Sequence, residues 1–147
     1  MSDLKYIFFL TASFLFIFFS DKIFGNGYDE FLSRGDEFYS KFDLINAIKN
    51  YDEAYKLEPD NYQVLLKIVR TYNDIGEDFV EQRKRDEAKK YIDKAVKLSE
   101  KFQKKYPDSA SVYAYLAFSY GNFALFQGGK EKVELAEKIE QNAKNHF

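Results

Sequence analysis

The sequence predicts an all-α protein made of three helical hairpins. Three observations carry that expectation. The 147 residues include only 7 Gly and 2 Pro, too few breakers for an all-β domain of many tight turns. Apolar residues recur three and four apart over long stretches, the period of a helix with one buried face. The two prolines stand in near copies, Glu58-Pro59-Asp60-Asn61 and Tyr106-Pro107-Asp108-Ser109, each closing such a stretch. Proline stops a helix and pushes the residue before it out of the helical region.

Composition narrows the class further. With no Cys there is no disulfide framework, thiolate zinc site, cysteine nucleophile or lipid-modified cysteine. A net charge of −2 argues against a nucleic-acid binder. The length suits one domain with a core of its own.

The first element is an export segment. Seven of the 16 Phe fall before residue 25, and residues 6–19 form an apolar run broken only by Thr11 and Ser13. A bilayer-spanning helix needs about 20 apolar residues, a secretory core about 7–15. Residues 1–27 therefore read as a signal peptide, with Gly25 and Gly27 as the small residues before a cleavage site. The alternative is an uncleaved membrane anchor over residues 6–24. Either way the expected location is exported, periplasmic or extracellular, and the membrane is met only through an uncleaved N-terminal segment.

Residues 28–147 contain an internal repeat. In the first unit, residues 28–61, Gly35, Phe38, Ala47, Tyr51, Ala54 and Pro59 fall at intervals of 3, 9, 4, 3 and 5. Gly35 and Ala47 are small enough for two helices to approach closely; Phe38, Tyr51 and Ala54 fill the space beside them. The second unit, residues 62–109, is 14 residues longer. Leu65, Ile68 and Tyr72 match the first helix, with Val69 at the small position; Ala88, Ile92 and Ala95 match the second helix seven residues late. Seven residues are about two turns, so the apolar face is kept. The turn falls at Gly76-Glu77-Asp78 or near residues 83–86. The third unit, residues 110–147, has Tyr113, Leu116, Ala117 and Tyr120 in its first helix. Ala114, Ala117, Gly121 and Ala124 form a small-residue stripe flanked by Tyr115, Phe118, Phe123, Leu125 and Phe126. A helix apolar nearly all round is expected to be buried. Gly128-Gly129 ends it, and a last helix from Lys130 turns Val133, Ala136, Ile139 and Ala143 inward.

The spacing in residues 28–61 resembles the tetratricopeptide repeat (TPR), a helix-turn-helix unit of about 34 residues. Asn61-Tyr62, Arg70, Tyr72, Ile75-Gly76, Ala114-Tyr115-Leu116-Ala117 and residues 121–128 extend the likeness. They resemble exported bacterial TPR proteins of the group associated with tripartite ATP-independent periplasmic (TRAP) transporters. They are also similar to the regulators of microtubule dynamics. The resemblance implies an all-α right-handed superhelix of three hairpins, an α-solenoid, that binds a partner in its concave groove. By position that groove is lined by Asp29, Leu32, Asp36, Tyr39, Leu66, Arg70, Asn73, Ser111, Ala114, Phe118 and Asn122. Chaperone-type TPR domains clamp a carboxylate with Lys and Asn; Leu32 and Asp36 stand at those places, which excludes that specificity.

Among these residues Arg70 is the leading ligand candidate, since its planar fork matches a carboxylate. The plainer alternative is an internal ion pair with Asp36 or Asp74. Tyr39 and Phe118 are groove aromatics or packing between repeats. Residues 83–105 carry a net charge of +6 and residues 28–82 a net charge of −7. The basic stretch is a docking face or the solvated side of a long helix whose lysine stems cover apolar surface.

Catalytic patterns are missing. His146 is the one histidine, so neither a triad nor a histidine metal site can be assembled. Gly129-Lys130 is followed by Glu131 rather than Ser or Thr, so it is no phosphate loop. The expectation is a non-enzyme with no cofactor and no metal: an exported scaffold or adaptor that binds another protein or a peptide. Two alternatives are a ligand-binding accessory of a periplasmic TRAP-type transport system and the N-terminal part of a longer repeat protein. Homo-oligomerisation through the uncapped C-terminal hairpin is a further expectation.

Overall fold

The computed structural model describes residues 27–146, all but a few short connections of which lie in six α-helices. They are α1 (residues 27–40), α2 (Leu44–Leu57), α3 (Tyr62–Glu81), α4 (Arg85–Lys105), α5 (Ala110–Ala124) and α6 (Gly129–His146). No strand occurs among the described residues. The proposed signal peptide or anchor lies outside them but for Gly27. Among the described residues no helix is long and apolar enough to cross a membrane.

Local sequence sets where the helices begin. The side chains of Asp43, Asn61 and Ser109 accept hydrogen bonds from the backbone N–H groups of Asn46, Gln63 and Val112. Each satisfies a donor that a first turn leaves unpaired. No side chain caps α4, but Asp86 and Glu87 in its first turn and Lys104 and Lys105 in its last complement the helix dipole.

Consecutive helices run antiparallel. Gly35 of α1 meets Tyr51 of α2, Gly76 of α3 meets Ile92 of α4, and Lys138 of α6 lies over the Tyr120 ring of α5. Alternate helices run in the same sense: Tyr39 of α1 bonds Asp74 of α3, and Asn73 of α3 bonds Ser119 of α5. Three apolar clusters result. One joins α1, α2 and α3 around Tyr51 and Ile68; one joins α3, α4 and α5 around Phe102 and Val112; one joins α4, α5 and α6 around Leu116 and Leu135.

The first two helix pairs superimpose in sequence at an offset of 41. Asp43 N–H bonds the Phe38 carbonyl as Lys84 N–H bonds that of Phe79. Phe42 and Arg83 both hold left-handed backbone, with φ of 58° and 59°. This settles the turn of the second pair at residues 82–84 and corrects the small position. Gly76 is buried inside α3 against Ile92, so it, and not Val69, matches Gly35. The added residues lengthen both helices of the pair without breaking either.

Two expectations for the last pair are also corrected. α5 is not buried all round: Ala114 and Gly121 are exposed, as are Phe118 (42%) and Leu125 (52%). Its opposite face, Val112, Leu116, Ser119 and Tyr120, already fills the contacts with α3, α4 and α6. In α6 the inward residues are Leu135 and Ile139, while Val133, Ala136 and Ala143 face outward. Two apolar stripes two or three residues out of register are easily confused where both recur at helical spacing.

Candidate functional site

The site is built on α3, where Lys67, Arg70 and Asp74 recur three and four apart and so share a face. On α1, Asp36 and Tyr39 face them. Asp36 accepts from Lys67 Nζ at 2.6 Å and from the Tyr51 hydroxyl at 2.7 Å. The Tyr39 hydroxyl donates to Asp74. Both carboxylates are thus taken by other donors. The Arg70 guanidinium lies 4.0 Å from the centre of the Tyr39 ring instead, a cation–π contact. The expected pairing of Arg70 with Asp36 or Asp74 is not formed. Its Nε is buried and has no hydrogen-bond partner, a condition that costs about 1–3 kcal/mol.

Beside Arg70 a cleft of about 230 Å³ opens between α3 and α5, lined by Tyr62, Gln63, Leu66, Lys67, Arg70 and Tyr115. The Tyr62 hydroxyl is held by Ser109 Oγ at 2.6 Å, and its ring packs edge-on against Tyr106. Tyr62 therefore presents ring surface to the cleft. The lining holds two cations, no carboxylate and three large apolar surfaces. Burial raises the Tyr39 phenol to about 12, helped by its bond to Asp74 and the charge there, and opposed by Arg70. Burial, then the bond to Asp36, raises Tyr51 as well. Both phenols stay neutral donors.

Of the residues placed in the groove from sequence, Asp36, Tyr39, Leu66 and Arg70 are brought together at this site. Leu32 packs on the first apolar cluster. Asp29, Ser111, Ala114 and Phe118 are exposed and are not among the residues lining the cleft. Asn73 and Asn122 are buried, and tie α3 to α5. The Asn73 amide donates to the Val69 carbonyl at 3.0 Å and to Ser119 Oγ at 2.8 Å. Asn122 donates to Asn73 Oδ1 at 3.2 Å and Glu77 Oε1 at 3.0 Å. Ser99 Oγ of α4 lies 3.3 Å from Ser119 Oγ. Lys67, Tyr62, Gln63 and Tyr115 were not among the expected groove residues. Lys67 and Gln63 carry the signal that could have found them, one helical turn and two turns before Arg70 on the same face.

Several lysines of the basic stretch on α4 lie over aromatic rings. Lys94 lies over the rings of Tyr72 and Tyr91 at 5.1 and 5.2 Å, Lys89 over Phe123 at 5.4 Å and Lys101 over Tyr55 at 5.8 Å. Their ammonium groups make cation–π contacts with these rings, while Lys94 and Lys101 remain exposed. Among the described residues no group of three or more Asp, Glu or His side chains is placed to hold a metal ion.

Paired helices with repeating contacts and an open cleft between alternate helices define a helical-repeat-like protein. The chain belongs to the family of regulator of microtubule dynamics proteins 1-3, whose family model matches residues 31–145. No curated protein sequence matches it.

Proposed function

We propose that this chain is a non-catalytic binding protein that receives a segment of another protein, or a peptide, in the groove formed by α1, α3 and α5. In this reading the helix pairs are TPR-type units stacked in a right-handed superhelix, and α1, α3 and α5 line its concave side. The reading extends to an exported scaffold or adaptor, on the strength of the apolar run at residues 6–19.

The observation that carries the proposal is Arg70. A guanidinium held on Tyr39 at the edge of an aromatic cleft, with a buried donor left unpaired, is poorly explained by fold stability alone. Cleft size favours a side chain or chain end over a whole small molecule. At about 230 Å³ it is smaller than the 300–1,000 Å³ usual for small-molecule sites.

The test is affinity capture with cross-link mapping, comparing the parent chain with a Leu66→Arg/Arg70→Glu variant and a Lys90→Glu/Lys97→Glu variant on α4. Cross-links to α3 and α5 that vanish only in the groove variant support the proposal. Capture unchanged by the groove substitutions would overturn it.

A further inference from the structure

We infer that the chemical group recognised in this cleft is a carboxylate carried next to an aromatic or aliphatic side chain. The inference rests on the groove reading above and adds the class of ligand.

The local pairing of donors and acceptors points to a single anionic group. Asp36 is matched by Lys67 at 2.6 Å, and Asp74 is occupied by the Tyr39 hydroxyl. Among the described residues Arg70 makes no ion pair: the charge of Asp74 offsets its own, but that carboxylate is held by the neutral Tyr39 phenol, and the Arg70 Nε–H is left without an acceptor. One guanidinium short of an acceptor, beside a balanced set of charges, suits a monoanion better than a dianionic phosphate. Its geometry suits a carboxylate in particular: the Nε–H and an Nη–H lie parallel on one edge of the fork and meet two carboxylate oxygens together. Lys67 adds positive potential from the same side but is committed to Asp36 and lies 5.9 Å from the centre of the Tyr51 ring. In this inference Arg70 turns on the Tyr39 ring to offer its Nε–H to the cleft, and the incoming carboxylate supplies the acceptor that the free protein lacks.

The rest of the cleft selects what adjoins the carboxylate. The Tyr62 hydroxyl is already bonded to Ser109, which leaves the ring as its contribution. Leu66 adds aliphatic surface and Tyr115 a second aromatic wall. An apolar group between these surfaces is removed from water, while Gln63 at the rim can bond an adjoining peptide group.

The experiment is an NMR titration of the full chain with four probes: N-acetyl-phenylalanine, its carboxamide, the capped dipeptide acetyl-Phe-Glu-amide and phenyl phosphate. The expected result is saturable shifts at the Arg70 Nε–H and at Tyr62, Leu66 and Tyr115 with a carboxylate probe. Affinity should fall about tenfold or more for the carboxamide, and likewise in an Arg70→Lys variant that keeps the charge but loses the fork. Preference between the first and third probes assigns the carboxylate to a chain terminus or to an acidic side chain. Equal binding of acid and amide, tighter binding of phenyl phosphate, or binding indifferent to Arg70→Lys would overturn the inference and leave the groove proposal standing. So would the absence of shifts with every probe, if cross-linked capture through α3 and α5 persists. Arg70→Gln, with its fold checked by circular dichroism, provides a second variant.

Discussion

The ring of Tyr51 lies directly on Gly35, in the space that a side chain at position 35 would occupy. A Cβ built on Gly35 overlaps Cδ1 and Cε1 of that ring, and at the matching place in the next pair a Cβ on Gly76 overlaps Ile92. The Tyr51 ring of α2 can therefore lie against the α1 backbone, which seats the Tyr51 hydroxyl on Asp36 at 2.7 Å. The same contact that closes the pair thus orients a carboxylate at the edge of the candidate site.

Gly35→Ala is expected to destabilise the protein by about 1–3 kcal/mol by overpacking this contact. The opposing gain in helix propensity is about 0.5–1 kcal/mol, too small to offset it. Gly121→Ala is the control. Nothing lies within 4 Å of a Cβ there, so only the propensity gain remains and stability should rise. Urea denaturation of both variants measures this; equal effects would show that the Gly35 contact is not tight.

Asn73→Leu should cost about 1–3 kcal/mol. Leu keeps the branched shape and leaves no cavity, so the loss reports the missing polar pairs together with the extra bulk of two methyl groups. Asn73 is fully buried, and its removal leaves Ser119 and Asn122 short of a partner. A variant as stable as the parent would show that the bonds joining α3 and α5 contribute nothing.

The turns offer the opposite sign. Arg83 has a φ of 59° and Phe42 a φ of 58°. Left-handed backbone costs a non-glycine residue about 1–2 kcal/mol, and glycine's greater freedom in the unfolded chain returns part of that. Arg83→Gly and Phe42→Gly should each raise stability by about 0.5–1 kcal/mol in thermal or chemical denaturation. Loss of stability in both would mean that these side chains contribute more than the strain they impose.

Tyr39 provides a pH signature. Burial and the Asp74 bond raise its phenol from 10.0 to about 12. A raised folded value means the folded state holds the proton longer. The associated stability is complete below pH 10 and is lost as pH rises through about 12. Tyr39→Phe should lose stability less steeply across that window and remove one late-titrating phenol from the ultraviolet titration. A parent phenol at position 39 titrating near 10 would refute the arrangement with Asp74.

Much of the helical frame was legible in the sequence because its causes are local. Pro59 and Pro107 stop helices through their own rings, and small residues at positions 35 and 47 mark close approach. The Leu66–Arg70 spacing put both on one face by helical period alone. Other features depended on distance in space. Asn73 on α3 and Asn122 on α5 sit at the same surface-type spacing as Arg70, but the two helices pack on each other there, and both become buried links. Whether Arg70 pairs with an acid could not be read from its neighbours. Lys67 and Tyr39 reach Asp36 and Asp74 first, and that competition is set by how α1 lies on α3.

Sequence by itself therefore determined that the chain folds as paired helices, where most of them stop and which residues form the inner faces of α1 to α4. These follow from backbone stereochemistry and from a period of 3.6 residues. Only the tertiary structure decided the turn at residues 82–84, the outward face of α5 and the unpaired state of Arg70. Each depends on which side chain, among several of suitable type, arrives first at a given partner, and that is a property of packed helices rather than of any one of them.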